Sequence, residues 1–378
     1  MSGHEVCIGA LGMVSPLGHD VASSCAAARA GINRSSELKV VSQPFGKLGM
    51  DGPPAVYGHE VPGVGEGFSG AGKVLTLGAA ALRDLLSRRP IDAHDAARTG
   101  LVVCLSDHAV LDAHEAQVAV ALGSRRAAPS VAWREKAPAL ALALADQAGI
   151  AVQPRHVSVL TEGSPGFARA LQEATSRVAG GSVDRCLVGA IDSRIEPRFL
   201  TAAAGLGALR TNDRPVGLIG GEAAAFVLVE RMHDVRSSGR SPIAIPSGIG
   251  FGEEPTGHFA DAPASGRALA SAILGALAAS PSLGASLALL IGDLNGTERR
   301  GYEWGMALAR LRAAGMGTEL PTWYPATSFG DTGAASGAVF LCVAARAFAR
   351  GYAPGRGALL WMQSESGRSA AIGLEAPR

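Results

Sequence analysis

The sequence is poor in aromatic residues, nearly balanced in charge, and without a long hydrophobic run. Phe, Trp and Tyr make up 5% of its 378 residues, and 34 basic residues face 33 acidic ones. A basic surface with interleaved aromatic residues is therefore not expected, which argues against nucleic-acid binding. The longest apolar run, residues 137–145, is far too short to cross a bilayer.

The chain also lacks paired cysteines and an apolar leader. Its five cysteines are scattered with no Cys-x-x-Cys pair, and four of them lie in apolar stretches, where we expect them to be small buried hydrophobic residues. Glu5 interrupts the start of the chain before a leader could form. These features predict a soluble, cytoplasmic protein, and we expect neither a metal nor a cofactor.

What the chain has is small residues in alternating strand and helix patterns. Hydrophobic residues make up 47% of the sequence, and 50 residues are glycine. The alternation predicts a layered α/β fold with largely parallel strands. Both parts of the chain have the order strand, helix, strand, helix and then two strands, and we expect these last two strands to pair directly. We predict two similar halves, residues 1–240 and 241–378, with a surface loop or cap over residues 34–72.

Three segments resemble the β-ketoacyl synthases of the thiolase superfamily. They read VCIGALGMVSPLGHDVASSCAAARAGI from residue 6, VDRCLVGAIDS from residue 183 and RPVGLIGGEAAAFVLVER from residue 214. Glu222 stands at the glutamate of the family's Gly-Glu-Gly-Ala segment. The resemblance implies a thiolase-like, layered α-β-α-β-α fold made of two similar halves, dimeric through a sheet edge.

The cysteine and two histidines of that family are replaced here. Counting back from the strand at residues 185–191 places Ser164 at the cysteine, within LTEGSPGFARAL. Asn295 in IGDLNGTERRGYE and Asp331 in GDTGAASG stand at the histidines. The family's lysine is absent from WYPATSFGD. Its closing glycine-rich loop is replaced by QSESGR, which contains Glu365 and Arg368.

These replacements bear directly on the chemistry. Decarboxylative condensation needs a low-pKa nucleophile and two imidazoles that stabilise an enolate, whereas an ionised aspartate would repel one. The resemblance therefore implies a ketosynthase-like protein unable to condense in the usual way. We predict that it binds an acyl thioester or an acyl carrier protein, as a partner or modulator in fatty-acid- or polyketide-type metabolism. It would form a homodimer, or a heterodimer with an active ketosynthase.

Two other functions remain open, and with them the question of whether the chain is an enzyme. Ser164 lies at a strand–helix turn that suits a nucleophile, which would make the chain a serine acyltransferase or thioesterase. Asn295 and Asp331 would then position the substrate. Alternatively, the chain is a structural or assembly component with a vestigial pocket.

Each of the three site residues also has a structural interpretation. Ser164 followed by Pro165 fits a helix N-cap with proline at the first helical position. Asn295 and the glycine after it fit a turn, and Asp331 fits a cap of the helix predicted from residue 333.

Four further residues are candidates for substrate binding: Glu162, His258, Glu365 and Arg368. Glu162 is either a surface charge or a pocket wall at a dimer contact. His258, in GEEPTGHFADAP, is the best candidate base for Ser164, although a solvated loop histidine is the usual case.

Overall fold

The computed structural model describes residues 5–38, 55–124, 128–317 and 319–378. The loop or cap predicted over residues 34–72 therefore lies partly outside the described residues. Its described ends contain two short strands that pair with each other, so this segment is not loop throughout. None of the described helices is both long and apolar enough to cross a membrane.

The strands of the described residues fall into two sheets. In chain order they are β1 (Val6–Val14), β2 (Ser36–Glu37), β3 (Tyr57–His59), β4 (Thr99–Leu105), β5 (Val157–Thr161), β6 (Arg185–Ser193), β7 (Gly220–Arg231), β8 (Ile245–Glu253), β9 (Leu287–Ile291), β10 (Thr322–Trp323), β11 (Gly357–Gln363) and β12 (Arg368–Glu375). The first sheet has the order β2-β3-β7-β6-β4-β5, with β1 also on β7. The second has the order β10-β9-β11-β12-β8.

The α-helices of the described residues alternate with these strands. They are α1 (Val21–Arg29), α2 (Ala71–Arg88), α3 (Ala93–Ala96), α4 (Ala109–Ala121), α5 (Pro129–Gln147), α6 (Gly166–Ala179), α7 (Pro197–Gly205), α8 (Met232–Ser237), α9 (Arg267–Ala279), α10 (Pro281–Ser286), α11 (Glu298–Ala313), α12 (Ala326–Phe329) and α13 (Ser336–Ala349). A 3-10 turn, Gly333–Ala335, leads into α13.

Strand directions are mixed, so the prediction of largely parallel pairing is wrong. β4 is parallel to β5 and β6, and β9 is parallel to β10 and β11. β7 runs antiparallel to β1 and β6, and β12 runs antiparallel to β8 and β11. The last two strands of each half, β6 with β7 and β11 with β12, pair directly with each other, as predicted. A tight turn joins β11 to β12, whereas the segment between β6 and β7 contains helix α7.

The elements stack in five layers. Helices α6 and α13 lie between the sheets, and each contacts strands of both. Helices α2 and α5 cover the outer face of the first sheet, while α9 covers the second with α11 packed on it. The central position of α13 explains its composition, because a helix buried on all sides is apolar on all sides.

Small residues allow the layers to approach closely. A Cβ atom at Gly250 on β8 would lie 2.0 Å from the backbone carbonyl oxygen of Ala272 on α9, which covers that sheet. The parallel strands of both sheets lead into the central region. β5 runs into α6, β6 ends just before Arg194, β9 ends just before Asp293, and β11 ends just before Glu365. Polar side chains at these strand ends form the candidate site.

Candidate functional site

The turn between β5 and α6 holds Ser164 at the amino end of a buried helix. Gly163 has a φ of +67°, in the left-handed region that favours glycine. Ser164 is 2% exposed, and its Oγ has no hydrogen-bond partner among the described residues. The backbone closes the turn instead, since the Ser164 carbonyl accepts from the N–H of Phe167 at 3.2 Å. The prediction of a serine N-cap is therefore wrong, and Pro165 takes the cap position without a side-chain bond.

A thiol approaches the same turn from β4. Cys104 is fully buried, and its Sγ donates to the carbonyl oxygen of Gly163 at 3.2 Å. Burial, reinforced by the negative charge of Glu162, raises the pKa of Cys104 well above its usual value. Cys104 is therefore a protonated structural thiol rather than a nucleophile. All five cysteines are free and buried, including the four that the sequence predicts to be buried.

Asn295 and Asp331 are in direct contact. Nδ2 of Asn295 donates to Oδ2 of Asp331 at 2.6 Å, and both residues are buried. Oδ1 of Asn295 accepts from the N–H and hydroxyl of Thr297 at 3.1 and 2.8 Å, and Oδ1 of Asp331 accepts from the N–H of Gly333 at 3.0 Å. These contacts agree with the turn interpretation of Asn295, whereas the residue at the cap position before Gly333 is Thr332 and not Asp331, so the cap interpretation of Asp331 is wrong. Neither side chain is hydrogen-bonded to Ser164.

Asp331 belongs to a buried ion-pair network that the sequence analysis missed. Arg194 donates through Nη1 to Asp331 Oδ2 and to Glu365 Oε1, both at 2.9 Å, and through Nη2 to Glu365 Oε2 at 2.7 Å. Arg300 donates through Nη2 to Glu365 Oε1 at 2.8 Å. Its Nη1 pairs with Asp293 Oδ1 at 3.0 Å. The network joins β6, α11 and the loops before α13 and after β11.

The network has more carboxyl groups than guanidiniums. Asp192 adds another carboxyl, whose Oδ2 accepts a backbone N–H at the entry to α13 at 2.9 Å. Burial raises the pKa of Asp192 to about 6 and that of Asp293 to about 7, against the pull of the neighbouring arginines. Burial also acts to raise the pKa of Glu365, but Arg194 and Arg300 outweigh it and hold that pKa well below its usual range. The two aspartates therefore carry protons at mildly acidic pH while Glu365 stays ionised.

His258 is not the solvated loop histidine that the sequence predicts. Its side chain is 7% exposed, and Nε2 lies 3.1 Å from Oε2 of Glu303. The carboxylate of Glu303 also accepts from Nε of Arg299 at 2.9 Å, so it holds His258 inward in a second buried cluster. Since the Oγ of Ser164 has no partner, His258 is not hydrogen-bonded to it as a base.

Glu162 and Arg368 lie at the edge of the site. Oε2 of Glu162 accepts from Nε of Arg169 at 2.9 Å, and the Glu162 side chain is 26% exposed. That geometry fits the surface-charge interpretation. Arg368 faces Glu253 at 3.8 Å with 38% of its side chain exposed, so of the two candidates in QSESGR only Glu365 joins the network.

Two clefts flank the network. One of about 480 Å³ is lined by Asp107, His108, Trp133 and Arg194, among others. The other, of about 840 Å³, is lined by α4, by Gly257, Phe259 and Ala260, and by Glu365. The Arg194–Glu365 ion pair therefore lies between them. Ser164 lines neither cleft.

The sequence matches no protein-family profile and no curated protein. Solved structures nevertheless match it over nearly its whole length. AntDE:AntF, a type II polyketide synthase acyl-carrier protein in complex with its ketosynthase bound to the hexaketide, has a TM-score of 0.77 and 18% identity, with 99% of each chain covered. The ishigamide ketosynthase/chain length factor has a TM-score of 0.75 and 17% identity, again with 99% of each chain covered.

A third similar structure is the oxazolomycin ketosynthase domain OzmH KS7 of Streptomyces albus JA3453, with a TM-score of 0.74 and 16% identity. It covers 99% of this chain and 75% of that one. The fold is thiolase-like. The predicted α-β-α-β-α arrangement of two similar halves is therefore confirmed.

One feature of the sequence could have pointed to the network residues that were not predicted. In this thiolase-like fold, Arg194 follows the apolar strand β6 and Asp293 follows the apolar strand β9. A charge directly after a buried strand needs a partner, so its burial is predictable while the partner's identity is not.

Proposed function

We propose that the chain is a ketosynthase-like subunit that does not catalyse condensation. It binds an acyl group or an acyl carrier protein as the partner of an active ketosynthase in polyketide- or fatty-acid-type metabolism. The observation that carries this proposal is the buried Asn295–Asp331 pair, at the positions where the resemblance expects two histidines.

The chemistry of the pair supports a role without condensation. Oδ2 of Asp331 already accepts from both Asn295 and Arg194. A carboxylate in that place offers no proton to a developing enolate and repels its charge. At the helix terminus, the hydroxyl of Ser164 has no base within hydrogen-bond distance among the described residues. The nucleophile and the two enolate-stabilising groups of condensation are therefore replaced by groups that fit a structural role better than a catalytic one.

The partner role rests on the fold and on one sheet edge. Two of the similar structures are described as an acyl-carrier protein complex and a ketosynthase/chain length factor, and we infer related partners for this chain. β5 ends the first sheet, and its residues are all partly exposed. An edge strand of this kind can pair with a second chain, which fits dimerisation through the sheet edge.

The test is reconstitution with an active ketosynthase and its malonyl- and acyl-carrier proteins. Alone, the chain should give no condensed product and release no carbon dioxide. Mixed with the ketosynthase, it should co-purify in equal amounts and change the length or yield of the product. Condensation by the chain alone would refute the proposal. Co-purification with an unchanged product would favour a purely structural component.

The serine acyltransferase or thioesterase remains the second candidate, because Ser164 lies at the amino end of α6 with an unoccupied hydroxyl. It predicts an acyl adduct on Ser164 by mass spectrometry after incubation with acyl thioesters. Ser164→Ala should abolish that adduct, while the buried Ser15→Ala should leave it unchanged. The absence of any adduct across several donors would exclude this candidate.

A further inference from the structure

Glu365 is bound as a free carboxylate ligand would be. Its two oxygens receive three charge-assisted hydrogen bonds, two from Arg194 and one from Arg300, at 2.7–2.9 Å. Two of these bonds form the parallel fork that guanidinium groups use to recognise carboxylates. The geometry is that of an anion site in which the anion is supplied by the chain itself.

The two guanidiniums are held by other contacts and do not depend on Glu365 for their positions. Arg194 is bonded to Asp331 at 2.9 Å and lies over the ring of Phe199, 5.1 Å from its centroid. Arg300 pairs with Asp293 and donates to the backbone carbonyls of Asp293 and Gln363 at 3.1 and 3.2 Å. The Nε atoms of both arginines are buried without a hydrogen-bond partner among the residues that the structure describes. Because other contacts fix the two guanidiniums and some of their N–H groups are unused, the site would persist if the Glu365 side chain moved out of it.

Glu365 lies on a tight turn that borders open space. Ser364 and Gly367 close the turn between β11 and β12 with a backbone bond of 3.0 Å, and Gly367 has a φ of +95°. The turn is held on its other side by the N–H of His258, which donates to the Glu365 carbonyl at 2.8 Å. Glu365 and Ser366 form part of the wall of the cleft of about 840 Å³. Arg194 and Arg300 do not line that cleft themselves, so a ligand there would reach them by displacing the Glu365 side chain.

The walls of the cleft indicate what such a ligand is made of. Most of its lining side chains are small or apolar: Ala109, Ala113, Ala116, Val120, Leu206 and Phe259. An apolar tail would be buried there with its charged end at the arginines. The charge must be single, because the network already holds more carboxyls than guanidiniums and tolerates only an exchange of one carboxylate for another.

We propose that Arg194 and Arg300 form a binding site for an aliphatic monocarboxylate, reached through this cleft and filled by Glu365 in the free chain. The site is independent of any role as a ketosynthase partner, so it stands or falls separately from that function.

The first test removes the internal ligand. In Glu365→Ala, acetate and butyrate should raise the melting temperature and bind saturably in calorimetry. Affinity should increase about fourfold for each added methylene, as expected for burial of an apolar tail. Glu365→Gln keeps the space filled and should not bind them. Glu253→Ala, which removes an exposed glutamate, should behave as wild type. If Glu365→Ala responds to the acids no more than Glu253→Ala does, the proposal is wrong.

The second test uses the wild-type chain and does not depend on the folding of a variant. Hexanoate must compete with Glu365, so its binding should be weak but saturable in equilibrium dialysis. Hexanamide has the same tail and no charge, and should bind at least about tenfold more weakly, a difference of about 1.4 kcal/mol. Equal binding of the two, or no saturable binding of hexanoate, would overturn the proposal.

Discussion

Arg194 and Glu365 meet through two hydrogen bonds of 2.9 and 2.7 Å, with 6% of each side chain exposed. Arg194 directly follows strand β6 of the first sheet, and Glu365 lies in the turn between strands β11 and β12 of the second sheet. Ion pairs buried to this degree cost much desolvation when they form, and they cost more when one partner is removed. The pair therefore makes the stability of the site sensitive to either residue.

Arg194→Gln should lower the free energy of unfolding by about 3–5 kcal/mol, because it leaves the buried Asp331 without its cation and Glu365 with Arg300 alone. Urea unfolding followed by circular dichroism would measure the loss. Arg98→Gln is the matched control. Arg98 binds Asp184 through a similar fork at 2.7 and 3.0 Å, but in an exposed position, so its loss should be small. Equal losses in the two variants would show that burial of the Arg194 pair has no energetic consequence.

Asp293 should make the protein less stable as the pH rises from mildly acidic to neutral. Burial raises its pKa from 3.8 to about 7, so the native state holds the proton more tightly than the unfolded state. The stabilisation is complete below pH 3.8 and is lost as the pH rises through about 7. The free energy of unfolding should fall by up to about 1.4 kcal/mol per pH unit in this window from this group.

Asp293→Asn should flatten that slope in urea unfolding measured from about pH 5 to 7. Asp192, whose pKa burial raises to about 6, contributes in the same direction and should leave a residual slope in the variant. Asp261→Asn, at an exposed position, is the control and should keep the wild-type slope. Parallel pH profiles for wild type and Asp293→Asn would contradict the assignment.

Ser164→Ala should leave the free energy of unfolding unchanged or raise it by up to about 1 kcal/mol, because it removes a buried hydroxyl that has no partner. Ser15 offers the comparison. It is fully buried, donates to Ser24 at 2.8 Å and accepts from the N–H of Leu17 at 3.2 Å. Ser15→Ala should cost about 1 kcal/mol in the same urea titration. A similar loss in Ser164→Ala would mean that its hydroxyl is hydrogen-bonded in solution.

Apolar periodicity and capping residues predicted the helices and strands whose positions depend mainly on neighbouring residues. From its apolar pattern the sequence predicts a helix over residues 267–279 and a strand over residues 287–291, and the bounds of α9 and β9 agree with these ranges. The sequence also predicts Asp20 as the cap of α1, and Asp20 accepts from the N–H groups of Ala22 and Ser23 there. Helix α4 was not predicted: its apolar stripe of Ala109, Ala113, Ala116 and Val120 has helical spacing but lines the open cleft, and within the helix only Val110 is buried.

The candidate site was predictable only in part. The sequence predicts that Ser164, Asn295 and Asp331 meet at one site, and only Asn295 and Asp331 are hydrogen-bonded to each other. Arg194 and Glu365 are 171 residues apart, and neither has a local pattern that identifies its partner. The absence of a hydrogen-bond partner for the Ser164 hydroxyl among the described residues could not be predicted either, because it depends on which distant residues the fold brings close to it. Residues this far apart in the chain are brought together by the tertiary structure, and the spacing of residues in a single sequence does not identify such pairs.

The placement of the charges also bears on how the chain can be divided. Arg194 lies in the first predicted half, residues 1–240, while Asp331 and Glu365 lie in the second. The buried helices α6 and α13 contribute one from each half to a common layer. Cutting the chain near residue 240 would put Arg194 in one fragment and its counter-ions in the other, so each fragment would hold charges that have lost their partners.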